Sequence, residues 1–140
     1  MRITRKTSIA RYSEIIKWAT KGGVLPYVPD TNHETNEFNC WGYTALSLGW
    51  ISKPKWLSPE AMMAYIERNT REISPEEATI GDIVALYLKS DGELEHTAIV
   101  IGGDVVIQKA GSCPIEVTHT HTRYRGTQPR YYRNTAQRSI

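Results

Sequence analysis

The chain has 140 residues, 23% of them charged, a formal net charge of +2 and two cysteines. That length suits a single domain, 1–140, with a core that needs no metal or disulfide staple, and so small a charge does not call for a polyanionic partner. Two thiols do not make a disulfide framework, and no run approaches the roughly 18 apolar residues of a membrane span. The basic start Met1-Arg2-Ile3-Thr4-Arg5-Lys6 leads into no apolar h-region. The expectation is synthesis in the cytoplasm without a signal peptide, any export using another route or a carrier.

From Ser8 to Thr20, apolar Ile9, Tyr12, Ile15, Ile16 and Ala19 recur near the helical period, and Gly22-Gly23 ends the helix. Val24 to Asn39 reads as a loop. Asn39 is a good N-cap, and Cys40 to Trp50 follows as a helix with little charge, hence buried. Ser58-Pro59-Glu60, a cap followed by proline at the first helical position, starts a third helix over Ala61 to Arg68. Ser74-Pro75-Glu76-Glu77 marks a turn or short helical start.

The pattern then changes. Ile83 to Leu88, Thr97 to Ile101 and Val105 to Lys109 read as strands separated by Ser90-Asp91-Gly92 and Gly102-Gly103. Ile115 to Thr118 and Arg130 to Arg133 add edge strands, and residues 134–140 read as a flexible tail. Helices first and an antiparallel sheet second make the class α+β.

Chemistry concentrates at two places. Cys40 opens an apolar helix, where the partial positive charge of the N-terminus stabilises a thiolate, and His96 opens an apolar strand, where an imidazole can take and return a proton. On that placement the thiol is expected below its usual pKa of about 8.5. Cys113, in Gly111-Ser112-Cys113-Pro114, has no helix behind it and reads as structural. Asp82 reads as a turn or cap residue. His119-Thr120-His121 lies near Cys113, but there is no Cys-x-x-Cys or His-Glu-x-x-His, so neither metal nor cofactor is expected. His33 reads as a solvated residue beside the site. The basic and aromatic stretch Arg123 to Arg133 reads as an edge strand with cationic gatekeepers, not a nucleic-acid surface, and would also suit an anionic polymer.

Cys40, then Gly81-Asp82-Ile83-Val84, then His96 through Gly102, then Gln108, with Leu25-Pro26-Tyr27 upstream, resembles the NlpC/P60 branch of the papain-like cysteine peptidases and amidases over about 24–111. The chain departs from that pattern in having Asn39-Cys40-Trp41-Gly42 where the family has Asp-Cys-Ser-Gly, and Gln108 where it commonly has histidine. The resemblance implies a papain-like core, with N-terminal helices packed on a C-terminal antiparallel sheet. It implies Cys40 as nucleophile, His96 as base, Gln108 as the residue that orients the ring, and the Tyr27 hydroxyl as an oxyanion donor. It also implies cleavage of an amide in peptidoglycan stem peptides. A short chain without binding repeats would then be an antibacterial effector, met by an immunity or inhibitor protein, or a phage lysis factor. Trp41 and Tyr43 beside the polar His33, Glu34 and Glu37 suit a peptide better than a lipid chain, with Trp41 as a substrate-binding residue. The same scaffold also supports a deamidase or acyltransferase acting on a protein or lipid, or a non-catalytic binding module in which Cys40 is occluded or unpaired.

His96 and Gln108 must also share a sheet face. A three-residue turn through Ile101, Gly102 and Gly103 sets Val100 opposite Asp104, Ala98 opposite Val106 and His96 opposite Gln108. A two-residue Gly-Gly turn sends Gln108 to the other face, so the pairing needs a connection of odd length.

Overall fold

A computed structural model of the chain describes residues 38–102, 105–109, 115–119 and 125–136. The expected helix at Ser8 to Thr20, Tyr27, His33, Cys113 and His121 lie outside them. Helix α1 is Cys40–Ser47 and α2 is Pro59–Asn69; the strands are β1 Thr70–Ile73, β2 Ile83–Leu88, β3 Leu94–Gly102, β4 Val105–Lys109, β5 Ile115–His119 and β6 Thr127–Asn134. The protein is thus α+β, with helices against one six-stranded antiparallel sheet in the order β1-β6-β2-β3-β4-β5.

Local chemistry sets the helix ends. The Asn39 carboxamide oxygen caps α1 by accepting the Gly42 N–H at 2.9 Å, and α1 stops three residues before the expected Trp50 because Gly49 turns the chain at φ 77°. Ser58 Oγ accepts the Ala61 N–H at 3.1 Å with Pro59 in the first turn, as the sequence suggested. The Ser74 segment forms a short 3-10 turn, Pro75–Glu77, in which Glu77 Oε1 accepts the Ser74 N–H at 3.1 Å.

Both faces of the sheet centre are buried. Ile83, Ala85 and Tyr87 pack with Leu48, Met62 and Ile66 of the helical layer, while Val84, Leu86, Ala98, Val100 and Val106 form a cluster on the opposite face. That double burial is why these strands read as continuous apolar runs and not as an alternation.

Two expectations are corrected, and one strand was not anticipated. Strand β1 gives no sequence signal, since Thr-Arg-Glu-Ile offers one buried apolar side chain; it forms because Thr70 to Ile73 pair with Asn134 to Tyr131. For the same reason Arg130 to Arg133 is not an edge strand: β6 lies between β1 and β2. Nor does a tail begin at residue 134. Asn134 closes β6 and its side chain accepts from Trp50 Nε1 at 3.0 Å, and the Thr135 N–H donates to the Asn69 carbonyl at 2.7 Å.

The loop between α1 and α2 is strapped onto the first turn of α1. Asn39 Nδ2 donates to the Leu57 carbonyl at 2.9 Å, and the Leu57 N–H returns to Asn39 Oδ1 at 3.3 Å. The Lys55 carbonyl oxygen occupies the space that a Cβ on Gly42 would need. Gly42→Ala is therefore expected to destabilise the fold by roughly 1–3 kcal/mol, because two backbones would have to part. Urea unfolding measures this; an unchanged midpoint would show that the strap yields freely.

Candidate active site

Cys40 is the first residue of α1 and is 8% exposed. The packing of α1 on the sheet places it against β3: Thr44, one turn on, meets Thr97 through their hydroxyls at 2.9 Å. The backbone directions of β3 explain what the sulfur meets there. The Val100 N–H donates to the Asp82 carbonyl and the Val100 carbonyl accepts from Gly81, so even-numbered residues here aim their backbone groups at β2 and odd-numbered ones at the β4 side. The pairs between β3 and β4 end at Ile99↔Ile107. Beyond them the Thr97 N–H favours the charged form of the Cys40 sulfur. The thiol thus lies where β4 has parted from β3, one residue along from His96.

His96 and Gln108 share a sheet face. His96 Nε2 and Gln108 Oε1 are 2.7 Å apart, and the two side chains are each 2% exposed. The register behind this pair differs from expectation. Gly102 pairs with Val105, a two-residue connection that alone would put Gln108 on the wrong face. A β-bulge between Val100 and Gly102 supplies the extra residue and restores the parity. Counting outward from Ile99↔Ile107 sets Gln108 opposite Ala98 instead of His96, and the two side chains meet diagonally.

Because Gln108 Oε1 only accepts, Nε2 carries the imidazole proton and Nδ1 keeps the lone pair. Burial holds His96 down at about 4, against a smaller opposing effect of the Gln108 bond, so the ring is neutral at physiological pH. The Cys40 thiol runs counter to the sequence expectation. Burial pushes it up to about 11, outweighing the N–H groups of Thr97, Trp41 and Cys40 that stabilise the anion, with Glu95 adding to the rise. The helix N-terminus is present, but desolvation is the larger effect. Among the described residues no hydrogen bond joins the Cys40 sulfur to His96. The resting pair is thiol and neutral imidazole.

That state has a direct consequence. At pH 7 the folded chain should alkylate at Cys40 roughly a hundredfold more slowly than the unfolded chain, with the rate climbing through alkaline pH. Iodoacetamide labelling read by peptide mass spectrometry at Cys40 checks this; rapid labelling at mildly acidic pH would show a preformed thiolate.

Trp41 packs against the helical core, and its indole N–H is buried without a hydrogen-bond partner among the described residues. Asp82 is a turn residue, as expected: it accepts the Thr79 N–H at 2.9 Å, and Arg133 grips both its oxygens at 3.1 and 2.9 Å. Among the described residues no three His, Cys, Asp or Glu side chains converge as for a metal ion, and no helix is long and apolar enough to cross a membrane.

Sequence reading missed two participants. Gly42 admits the loop strap that fixes the Asn39 cap before Cys40, and the Thr97 amide favours the anion of the sulfur. The spacing Cys-x-Gly at a helix start was a usable signal for the first. Nothing local marked the second, because it depends on where β4 leaves β3. No protein-family model matches the chain, and no curated protein matches it.

Proposed function

We propose that the chain is a thiol hydrolase with an NlpC/P60-like, papain-like core, Cys40 acting as nucleophile, His96 as base and Gln108 as the residue that holds the ring. The observation that carries this reading is the buried His96–Gln108 pair, one residue from the strand amide on which the Cys40 sulfur rests. With Nε2–H directed at Gln108, Nδ1 carries the lone pair that receives the thiol proton. As the sulfur attacks an amide carbonyl, its proton passes to Nδ1, and the imidazolium then protonates the leaving amine. Water hydrolyses the thioester with the same imidazole as base. N–H groups that lower the sulfur's pKa also favour negative charge developing beside it.

Peptidoglycan stem peptide is the substrate class we favour, with a protein side-chain amide or an acyl transfer second. Delivery as an antibacterial effector or phage lysis factor, opposed by an immunity protein, belongs to the same proposal. The test is purified chain against sacculi and isolated muropeptides beside Cys40→Ala, with products read by mass spectrometry. New amine and carboxyl termini, one water added for each bond cleaved and none with the variant, support the assignment; unchanged sacculi and muropeptides overturn this substrate class.

The burial of Cys40 favours a second reading, a binding module on the same core in which the thiol only packs. The two part on turnover of any peptide amide.

A further inference from the structure

A cleft of about 460 Å³ opens between α2 and the β1-β6-β2 end of the sheet. The strand register builds its floor. Glu72 pairs with Tyr132 and Arg130 with Ala85, so Glu72, Arg130, Tyr132 and Tyr87 all stand on the sheet face that α2 covers. Tyr87 and Tyr132 are buried and their hydroxyls meet at 2.9 Å. That contact uses one phenolic proton and leaves the other to be donated. Above this floor the Arg130 guanidinium lies 5.5 Å from the Tyr87 ring centroid. Glu72 and Glu67 carry opposite charge on the same lining, and Met63, 40% exposed, adds an apolar wall with Ile66. Among the described residues no ion pair joins Arg130 to either glutamate. Opposite charges held apart over an aromatic floor match a molecule that carries both signs at its own two ends.

We propose that this cleft binds a short zwitterionic peptide, its carboxylate on Arg130, its ammonium on Glu72 and an apolar side chain against Met63 and Ile66. The guanidinium offers a planar fork to a carboxylate, and its seat on the Tyr87 ring reduces the freedom lost on binding. The cavity lies within the range of small-ligand sites and has room for a few residues of peptide, not a folded partner. This binding is separate from the proposed thiol chemistry and is read without turnover.

The test is a low-salt NMR titration of the isotopically labelled full chain with the dipeptide Ala-Leu, its N-acetyl form and its C-terminal amide. Saturable shifts are expected at Glu72, Tyr87 and Arg130, with each blocked peptide binding about tenfold more weakly. In Arg130→Gln the amide should lose its disadvantage, and in Glu72→Gln the acetylated form should lose its own. Both positions are exposed, and thermal melting confirms that the variants fold. Absence of saturable shifts, equal binding of the blocked peptides to the wild-type chain, or variants that keep the wild-type preferences would each overturn the proposal.

Discussion

Cys40→Ala is expected to abolish amide cleavage, and His96→Ala to reduce kcat/KM by roughly two to four orders of magnitude, because nucleophile and base act as one unit. Gln108→Ala should cost less, since Gln108 holds the proton of Nε2 in place and transfers none itself. The pH profile separates these roles. A base held near 4 stays neutral through the physiological range, so kcat/KM should rise on an acid limb near pH 4 and run flat to at least pH 8. In Gln108→Ala the ring loses the bond that favours its charged form, and the acid limb should move lower still. A limb near 6.5 would mean that His96 is solvated in the free enzyme. Equal losses at Gln108 and Cys40, with folding intact, would make Gln108 more than an orienter.

The second large effect is on acid stability. An unfolded imidazole titrates near 6.5, whereas buried His96 titrates near 4. Between these values the unfolded chain binds more protons, so stability present above 6.5 is lost as pH falls towards 4, by about 3 kcal/mol. Cys40 acts in the opposite direction. The folded thiol holds its proton up to about 11, so stability falls as pH rises from near 9 towards that value. Urea midpoints from pH 4 to 7 measure the acid limb, and His96→Asn should flatten it. NMR titration of His96 in the wild-type chain checks the same shift without a variant; a midpoint near 6.5 would rule out the buried, neutral ring.

Much of the local structure was legible because its causes are local. Asn39 before an apolar run, Ser58-Pro59 and Ser74-Pro75-Glu76-Glu77 each carry their own capping chemistry, and the helices and the 3-10 turn begin there. The limits of β2 and β4 follow from apolar runs bounded by turn residues. The pairing of His96 with Gln108 was also accessible, since only parity is needed to put two side chains on one face.

The means of reaching that parity were not accessible. A bulge at Ile101 depends on how Gly102 and Val105 close the hairpin, and the preferences of single residues do not specify it. The position of β6 was likewise a tertiary outcome, since its neighbour β1 has no apolar pattern of its own and is defined by that pairing. The ionisation of Cys40 was decided last. From sequence one sees the helix N-terminus, which lowers a thiol pKa; only the packed structure supplies the burial that raises it, and here burial is the larger effect. Residue order alone thus determined the helix starts, the central apolar strands and the Cys40, His96 and Gln108 candidates. Their charge states and contacts were set by desolvation and register, which exist only once distant segments have come together.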